Sequence, residues 1–573
     1  MVHRVHSCHA VMIGTRVAPT LAWVVTLLGV MVGALVGGCE QEAARFPDRA
    51  PLWVDEDTRP FRGPPPERYS SFLWDGADNA VFRPLTEAWR FERASEAVNV
   101  NALDEVPSSS WYENRLARRL MSPEDVARGA CQRLEDPPLP WRVVSGKPDG
   151  ASPGFTIEDA DGQRHMLKPD GALQPERASA ADAIAASIWH AAGFHAPCNR
   201  VVYVDPASLE LAEGATTEHA DGREEPLTDA HVQRVLAQAV RRGDGTVRLA
   251  ASQFIDGAPV GHWRYDGVRR EDPNDVVPHE HRRELRAQYV LSAWTNHIDS
   301  RQENTMAAWM TQGESHGYLR HYVIDFGDCF GVIHESEALS KRFGHSGYFD
   351  VQHLATDLVT LGQLDRPWDH AAYGPAGETL GYYDVARFEP DAWRPGYPNP
   401  AYDRMTERDA AWMARVVARF RDPHIRALVE RGRFSDPTVS EELIRVLIGR
   451  RDRILERWLT RLSPLTWPRV EDDQLCVQDL AVWTGIRDHD DRRYEARAAD
   501  ASGAAVSLPG SPTTTDDAFV CQPLPDRTGY LVVDLIAETV DRERTAPARV
   551  HLLRDDEGAT RLLGLERVEE SGS

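Results

Sequence analysis

The chain has no surplus of positive charge. Its 573 residues include 65 Lys and Arg against 89 Asp and Glu, a net charge of −24. Binding a phosphate backbone takes a concentrated basic surface, so nucleic acid is excluded as the expected partner. A local basic pocket for a small phosphate ligand stays compatible with that balance. Cysteine is also sparse, with seven residues and no two spaced as a CxxC metal or redox pair. No internal repeat is present, which excludes a solenoid. What remains is a globular composition, 42% hydrophobic and 27% charged. At roughly 150 residues per domain, the chain holds three or four units.

Val17 to Gly38 carries no charge and follows a short segment containing Arg4 and Arg16, the pattern of a secretory signal. Its end, "LVGGC", resembles the bacterial lipobox, so residues 1–38 are expected to be removed and Cys39 lipidated as the mature N-terminus. That predicts a membrane lipoprotein on the periplasmic or cell-surface side. The alternative is an uncleaved helix, since about 20 apolar residues span a bilayer; a cysteine at the very end of the run favours the lipoprotein. Cys8 lies in the leader, which leaves Cys131, Cys198, Cys329, Cys476 and Cys521. Cys476 and Cys521 share one C-terminal segment, and an oxidising envelope permits a bridge between them; two free thiols are the other reading.

Residues 39–135 read as a Pro-rich tether and N-terminal helical extension, with Ser122 capping a helix that opens on Pro123. From Trp141, apolar segments separated by Gly-rich turns run to Lys168, and an Ala-rich helix follows from Ala178 to Ala192, closed by Gly193. Further strands are expected at Asn199 to Asp205 and Arg248 to Gly257, separated by a polar, acidic insertion, giving the order strand, strand, helix, strand, strand. Thr406 to Phe420 and Thr438 to Leu459 each open on a Thr-x-x-Asp/Glu capping box and carry apolar residues at helical spacing. Beyond Pro464 the period switches to short strands, which predicts a small β-rich C-terminal domain over 465–573.

The chemistry gathers in residues 136–464. Phosphoryl transfer needs a carboxylate near the attacking hydroxyl, oxygen ligands for Mg²⁺ and a cation on the phosphates. "HIDSRQEN" places Asp299 as base, Asn304 as metal ligand and Arg301 as phosphate-facing cation in one loop. "YVIDFGD" ends an apolar strand on Asp325, a second hard oxygen ligand for Mg²⁺.

His297, Asp299, Glu303 and Asn304, followed by Asp325, Phe326 and Gly327, resemble the His-x-Asp-x-x-x-x-Asn and Asp-Phe-Gly loops of the protein-kinase fold. The helix and its exit, "ADAIAASIWHAAGFHAP", are most similar to those of HipA-type and related atypical kinases. The resemblance implies an α+β chain with a two-lobed kinase-like domain, a C-terminal all-β sandwich-like domain behind it, and ATP and Mg as cofactors. It pairs the strand residue Lys168 with a helix acid. Asp182 is the only formally charged residue between Arg177 and Arg200, and a buried carboxylate calls for a partner; Glu176 is its rival.

"SGKPDGASPG" takes the place of the phosphate-covering loop, with Gly146, Gly150 and Gly154 but without GxGxxG spacing, so a plain hairpin turn is an equal reading. "SQFIDG" takes the place of the hinge, where the backbone at Phe254 and Ile255 would read adenine. No Ala-Pro-Glu follows the Asp-Phe-Gly, and "KRFGHSGYFDVQHL" replaces a recognisable activation loop, which leaves the acceptor open. His279, Glu280 and His281 sit in polar surroundings that read as a solvated helix start rather than metal ligands.

These readings predict an envelope-anchored phosphotransferase that moves phosphate from Mg-ATP to a hydroxyl of an unknown protein or small molecule. The space outside the inner membrane is poor in ATP, so this demands secreted ATP, another donor or a different topology. The alternative is a catalytically silent kinase-like scaffold whose β domain recognises an envelope glycan or protein.

Overall fold

The computed structural model describes residues 45–69, 72–83, 86, 95–147, 153–218, 224–541 and 544–568. The expected leader, Cys39 and Gly150 lie outside them. Helix and strand contribute about equally and are largely segregated along the chain, an α+β arrangement. Among the described residues no helix is long and apolar enough to cross a membrane.

Seven strands form the first sheet: β1 (Trp141–Lys147), β2 (Gly154–Glu158), β3 (Arg164–Lys168), β4 (Asn199–Val204), β5 (Leu209–Glu218), β6 (Glu224–Pro226) and β7 (Val247–Gln253). Their order is β4-β7-β3-β2-β1-β5-β6. Three strands, not two, precede the long helix, and the acidic insertion is structured. It adds β5 parallel to β1, then β6, then the helix α3 (Asp229–Leu236), whose Val232 and Leu236 close a core with Trp141, Phe155, Ile157 and Leu249. No apolar run announces these elements in the sequence, because the existing sheet supplies most of what they pack against.

Of the helices before α3, α1 is Pro123–Arg128 and α2 is Arg177–Ala192. The Ser122 hydroxyl accepts the Asp125 N–H at the start of α1. α2 is buried along nearly all its length, as its alanine-rich sequence allows. Gly193 ends it at φ 123°, and a Cβ there would lie 2.2 Å from the Tyr112 ring, so both conformation and close approach require glycine. The cysteine count misleads at this end of the sheet, where Cys131 after α1 is bridged to Cys198 before β4.

A second, four-stranded sheet places Phe61–Arg62 beside β10 (His316–Val323), then β9 (Thr305–Thr311), then β8 (Ala258–Pro259). The helical layer comprises α4 (Arg283–Thr295), α6 (Glu407–Ala418), α7 (Asp422–Glu430) and α8 (Pro437–Leu459), with α5 (Val351–Thr360) between α4 and α6. One continuous core joins α2 to this layer through Trp189, Trp294, Trp412 and Trp458. Thr406 and Asp409 form the capping box of α6. α8 begins one residue earlier than expected, with Pro437 in its first turn and Asp436, not Thr438, as its cap.

Beyond residue 464, two antiparallel sheets of four and five strands share an apolar core built from Leu465, Leu475, Val477, Val520, Val533 and Val550. Cys476 and Cys521 face each other on paired strands and are bridged. The N-terminal extension joins this unit to the rest, since Leu103 enters its core and the Asp104 carboxylate pairs with Arg567 and Arg283.

Candidate active site

α4 stops where Asn296 takes the left-handed conformation, φ 55°, and its side chain accepts the Trp393 indole N–H at 2.9 Å. The chain therefore leaves the helix sharply and lays out His297 to Asn304 as a loop before β9. From the other side, β10 delivers Ile324, whose N–H donates to the Asn304 carbonyl at 2.9 Å. Asp325 follows at φ 60°, a conformation Asp tolerates better than most residues. The two acidic stretches are thus hydrogen-bonded to each other.

Asp328 completes the junction. One of its carboxylate oxygens meets His297 Nδ1 at 2.6 Å, and the other accepts the Asp299 N–H at 2.8 Å. Burial disfavours the imidazolium, yet Asp328 holds His297 well above its usual range. His297, Asp328 and Cys329 offer ligand atoms within 4.8 Å of one another. The short His297–Asp328 bond commits two of the three to bracing the loop.

Asn304 Nδ2 donates to the Asp299 carbonyl at 2.8 Å and to its Oδ2 at 2.9 Å, which leaves Asn304 Oδ1, the atom a cation would take, out of those bonds. Burial pushes the Asp299 carboxyl up to about 6 against the pull of Arg301. Arg301 departs from the phosphate-facing role expected of it: its Nε lies 2.8 Å from Asp299 Oδ1, Glu303 is 3.8 Å away, and the guanidinium sits over the Tyr397 ring at 4.7 Å. A guanidinium flanked by two acids and an aromatic face is drawn inward.

The expected lysine pairing is also corrected. Lys168 Nζ bonds Asp325 Oδ2 at 3.0 Å. Asp182 instead accepts the Phe326 N–H at 3.0 Å, fixing the residue after Asp325. Burial, then Asp325, pushes the Asp182 carboxyl up to about 6, and Lys168 opposes them. Burial disfavours the Lys168 ammonium, while Asp325 and then Asp182 more than offset this and raise its pKa. Glu176, the rival acid, accepts bonds from the Ser435 N–H and hydroxyl outside this group.

These charges line a cavity of about 400 Å³. Its lining includes Lys168, Asp182 and Asp325, an apolar bed of Met166, Met306 and Ile324, and the segment Ser252 to Ile255. Phe254 and Ile255, expected at a hinge, are both present. The volume falls in the range of small-ligand sites, and an apolar bed with a few convergent charges is their usual composition. Only three of the 65 basic residues are lysines, Lys147, Lys168 and Lys341, and one of them lines this cavity.

The glycines play another part. Gly146 and Gly154 are strand residues: a Cβ on Gly146 would lie 2.6 Å from Thr217 Oγ1, and one on Gly154 would lie 2.5 Å from the Leu167 carbonyl. Close strand packing accounts for both. His279 is not solvated either. It is 3% exposed, and its Nε2 meets Asp275 Oδ2 at 2.8 Å. Sequence reasoning missed Asp328, although it directly follows the Asp-Phe-Gly, and missed Met306 on β9 and Ile324 just past β10, which share the cavity with Met166.

Compared with known proteins, the chain matches no family model, no curated protein and no solved structure. Its function has to be read from the site itself.

Proposed function

We propose that this protein is a kinase-like phosphotransferase that moves the terminal phosphate of ATP to a hydroxyl acceptor. In this reading the seven-stranded sheet with α2 is the small lobe and the helical layer the large one. The observation that carries it is the cavity of about 400 Å³ in which Lys168, Asp182 and Asp325 meet an apolar bed, with the Asp299–Asn304 loop hydrogen-bonded to its wall. Adenine suits the bed of Met166, Met306 and Ile324, and the phosphates suit the Lys168 end.

The donor set fits Mg²⁺. Asp325 and Asn304 offer hard oxygen atoms, and the Asp325 charge adds to burial in raising buried Asp182, so a cation at Asp325 would relieve that part of the cost. When bound, the ion neutralises charge on the phosphate oxygens. Lys168 orients the phosphates, and Asp182 holds the backbone at Phe326. Asp299 takes the proton of the acceptor hydroxyl as that oxygen bonds to the terminal phosphorus; the bond from that phosphorus to the bridging oxygen breaks, and ADP leaves with the electron pair. Two disulfides suit an oxidising compartment, in keeping with the proposed lipid anchor at Cys39.

The pairing of Arg301 with Asp299 favours the second reading, a catalytically silent scaffold, because it occupies the base. The soluble chain starting after Cys39 separates them. Mg-ATP is expected to raise its melting temperature by several degrees, Asp325→Ala to remove that shift, and Asp299→Asn to keep it while abolishing transfer. No shift with the intact chain ends the phosphotransferase reading; a shift without transfer to any acceptor, including water, leaves the scaffold.

A further inference from the structure

A second cavity, of about 580 Å³, reaches the same loop from outside the nucleotide cleft. Gln302, between Arg301 and Asn304, is in its wall. Arg68, Tyr69, Trp74 and Asp78 of the N-terminal extension also line it, and the extension is stapled in place. Arg68 N–H donates to the Val260 carbonyl and His262 N–H to the Arg68 carbonyl, both at 3.0 Å. Gly261 passes so close that a Cβ there would lie 1.9 Å from the Arg68 carbonyl oxygen. Arg83 pairs with Asp78 at 2.8 Å and donates to Gln302 Oε1 at 3.0 Å, tying the extension to the catalytic loop.

Two features of this cavity point to a ligand. Tyr69, edge-on to the His262 ring, and Trp74, against Phe82, are still 56% and 60% exposed on the extension. Arg269, only 6% exposed, lines the cavity and uses Nη2 on the Pro66 and Val260 carbonyls, while its Nε and Nη1 have no hydrogen-bond acceptor. A buried guanidinium with two unused donors calls for an anion. Exposed ring faces beside polar groups suit a ligand with a flat, weakly polar C–H face and hydroxyls at its rim, because the ring face is electronegative. Asp266, His262 and Gln302 supply that polar rim.

We propose that this cavity is the acceptor subsite and takes an acidic sugar, its carboxylate toward Arg269, its ring on Tyr69 and Trp74, and a hydroxyl toward the Asp299 loop. The proposal rests on the phosphotransferase reading for its role, but binding does not depend on nucleotide. A bound acceptor also gives the extension's clamp across the catalytic loop a purpose.

Calorimetry on the soluble chain starting after Cys39, without nucleotide, tests it with three probes: trigalacturonic acid, neutral galactotriose, and a serine peptide flanked by glutamates. The acidic sugar is expected to bind at least tenfold more tightly than the other two. Trp74→Ala and Tyr69→Ala, both surface changes, are each expected to weaken it at least tenfold without lowering the melting temperature, and Arg269→Gln to erase the preference for acid over neutral sugar. Absence of sugar binding, tighter binding of the peptide, or unchanged affinity in both aromatic variants overturns the proposal. Mg-ATP melting shifts on the same preparation keep the two readings apart: sugar binding without a shift sinks the phosphotransferase alone, and a shift without sugar binding sinks the subsite alone.

Discussion

The proposed nucleotide cleft and the C-terminal sandwich treat carboxylates in opposite ways. In the sandwich, Asp479 is fully enclosed and used up. It accepts the Ala481 and Val482 N–H groups on one oxygen and Arg492 Nε and the Tyr494 hydroxyl on the other. Glu566 is held down to about 2 by His551, whose Nε2 lies 3.5 Å from it, with burial opposing and Arg45, which donates to it at 2.8 Å, assisting. In the cleft, burial pushes Asp182 and Asp299 up to about 6. The sandwich acids strengthen the fold, whereas the cleft acids cost it something, and such a cost is commonly met where a site must be ready for a ligand.

The sharpest break in that comparison is chemical. Asp325→Ala is expected to lower phosphate transfer by about 100- to 1000-fold in a single-turnover assay, since one electrostatic partner of a transferring group is worth that much. Stability follows. Asp479→Ala strands Arg492 and is expected to cost about 3–5 kcal/mol in chemical denaturation of the C-terminal unit. Asp182→Asn should do the reverse, raising the stability of the ligand-free protein by on the order of 1 kcal/mol while removing the response to Mg-ATP. If both substitutions destabilise alike, the contrast between the two regions fails.

The disulfides give an intermediate effect. Cys131→Ser with Cys198→Ser opens a bridge across a sequence separation of 67 and is expected to cost about 2–4 kcal/mol. Its loss should loosen the junction of α1 with β4, and proteolysis there should quicken under reducing conditions. The Cys476–Cys521 bridge spans 45 residues between directly paired strands, so its removal should be felt in the sandwich alone.

What was legible in the sequence was whatever a few neighbouring residues decide. The capping box at Thr406, the Ala-rich α2 with Gly193 at its end, and the alternating strands beyond Pro464 are local patterns, and each stands where the spacing put it. The same holds for the loop from His297 to Asn304 and for Asp325 at the end of a strand. What stayed hidden was long-range and geometric. Lys168 and Asp325 are 157 residues apart, and which acid the ammonium reaches depends on where β10 ends relative to β3. Arg301 turned inward because Tyr397, far along the chain, supplies a ring face. The parallel pairing of β5 with β1 and the Cys131–Cys198 bridge leave no trace in spacing at all.

The response to acid tests the comparison most directly, because acid should move the two regions in opposite directions. For Asp182 the folded value, about 6, lies above the ordinary 3.8, so the folded state holds the proton more tightly. The cleft of the ligand-free protein therefore gains stability as pH falls from about 6 to about 4. For Glu566 the folded value, about 2, lies below the ordinary 4.5; its contribution is intact above pH 4.5 and is lost as pH falls toward 2. Displacements of this size are worth at most about 3 kcal/mol, and solvent screening at the partly exposed Glu566 cuts its share to about 1 kcal/mol. Amide exchange should show the β10 and α2 amides around Phe326 better protected at about pH 5 than at about pH 7. The last two strands of the sandwich, Ala548–Arg554 and Thr560–Arg567, should be unchanged across that step and less protected at about pH 3. Asp182→Asn should flatten the first response and leave the second, whereas a shared response to acid would mean that the two sets of carboxylates do not differ in kind.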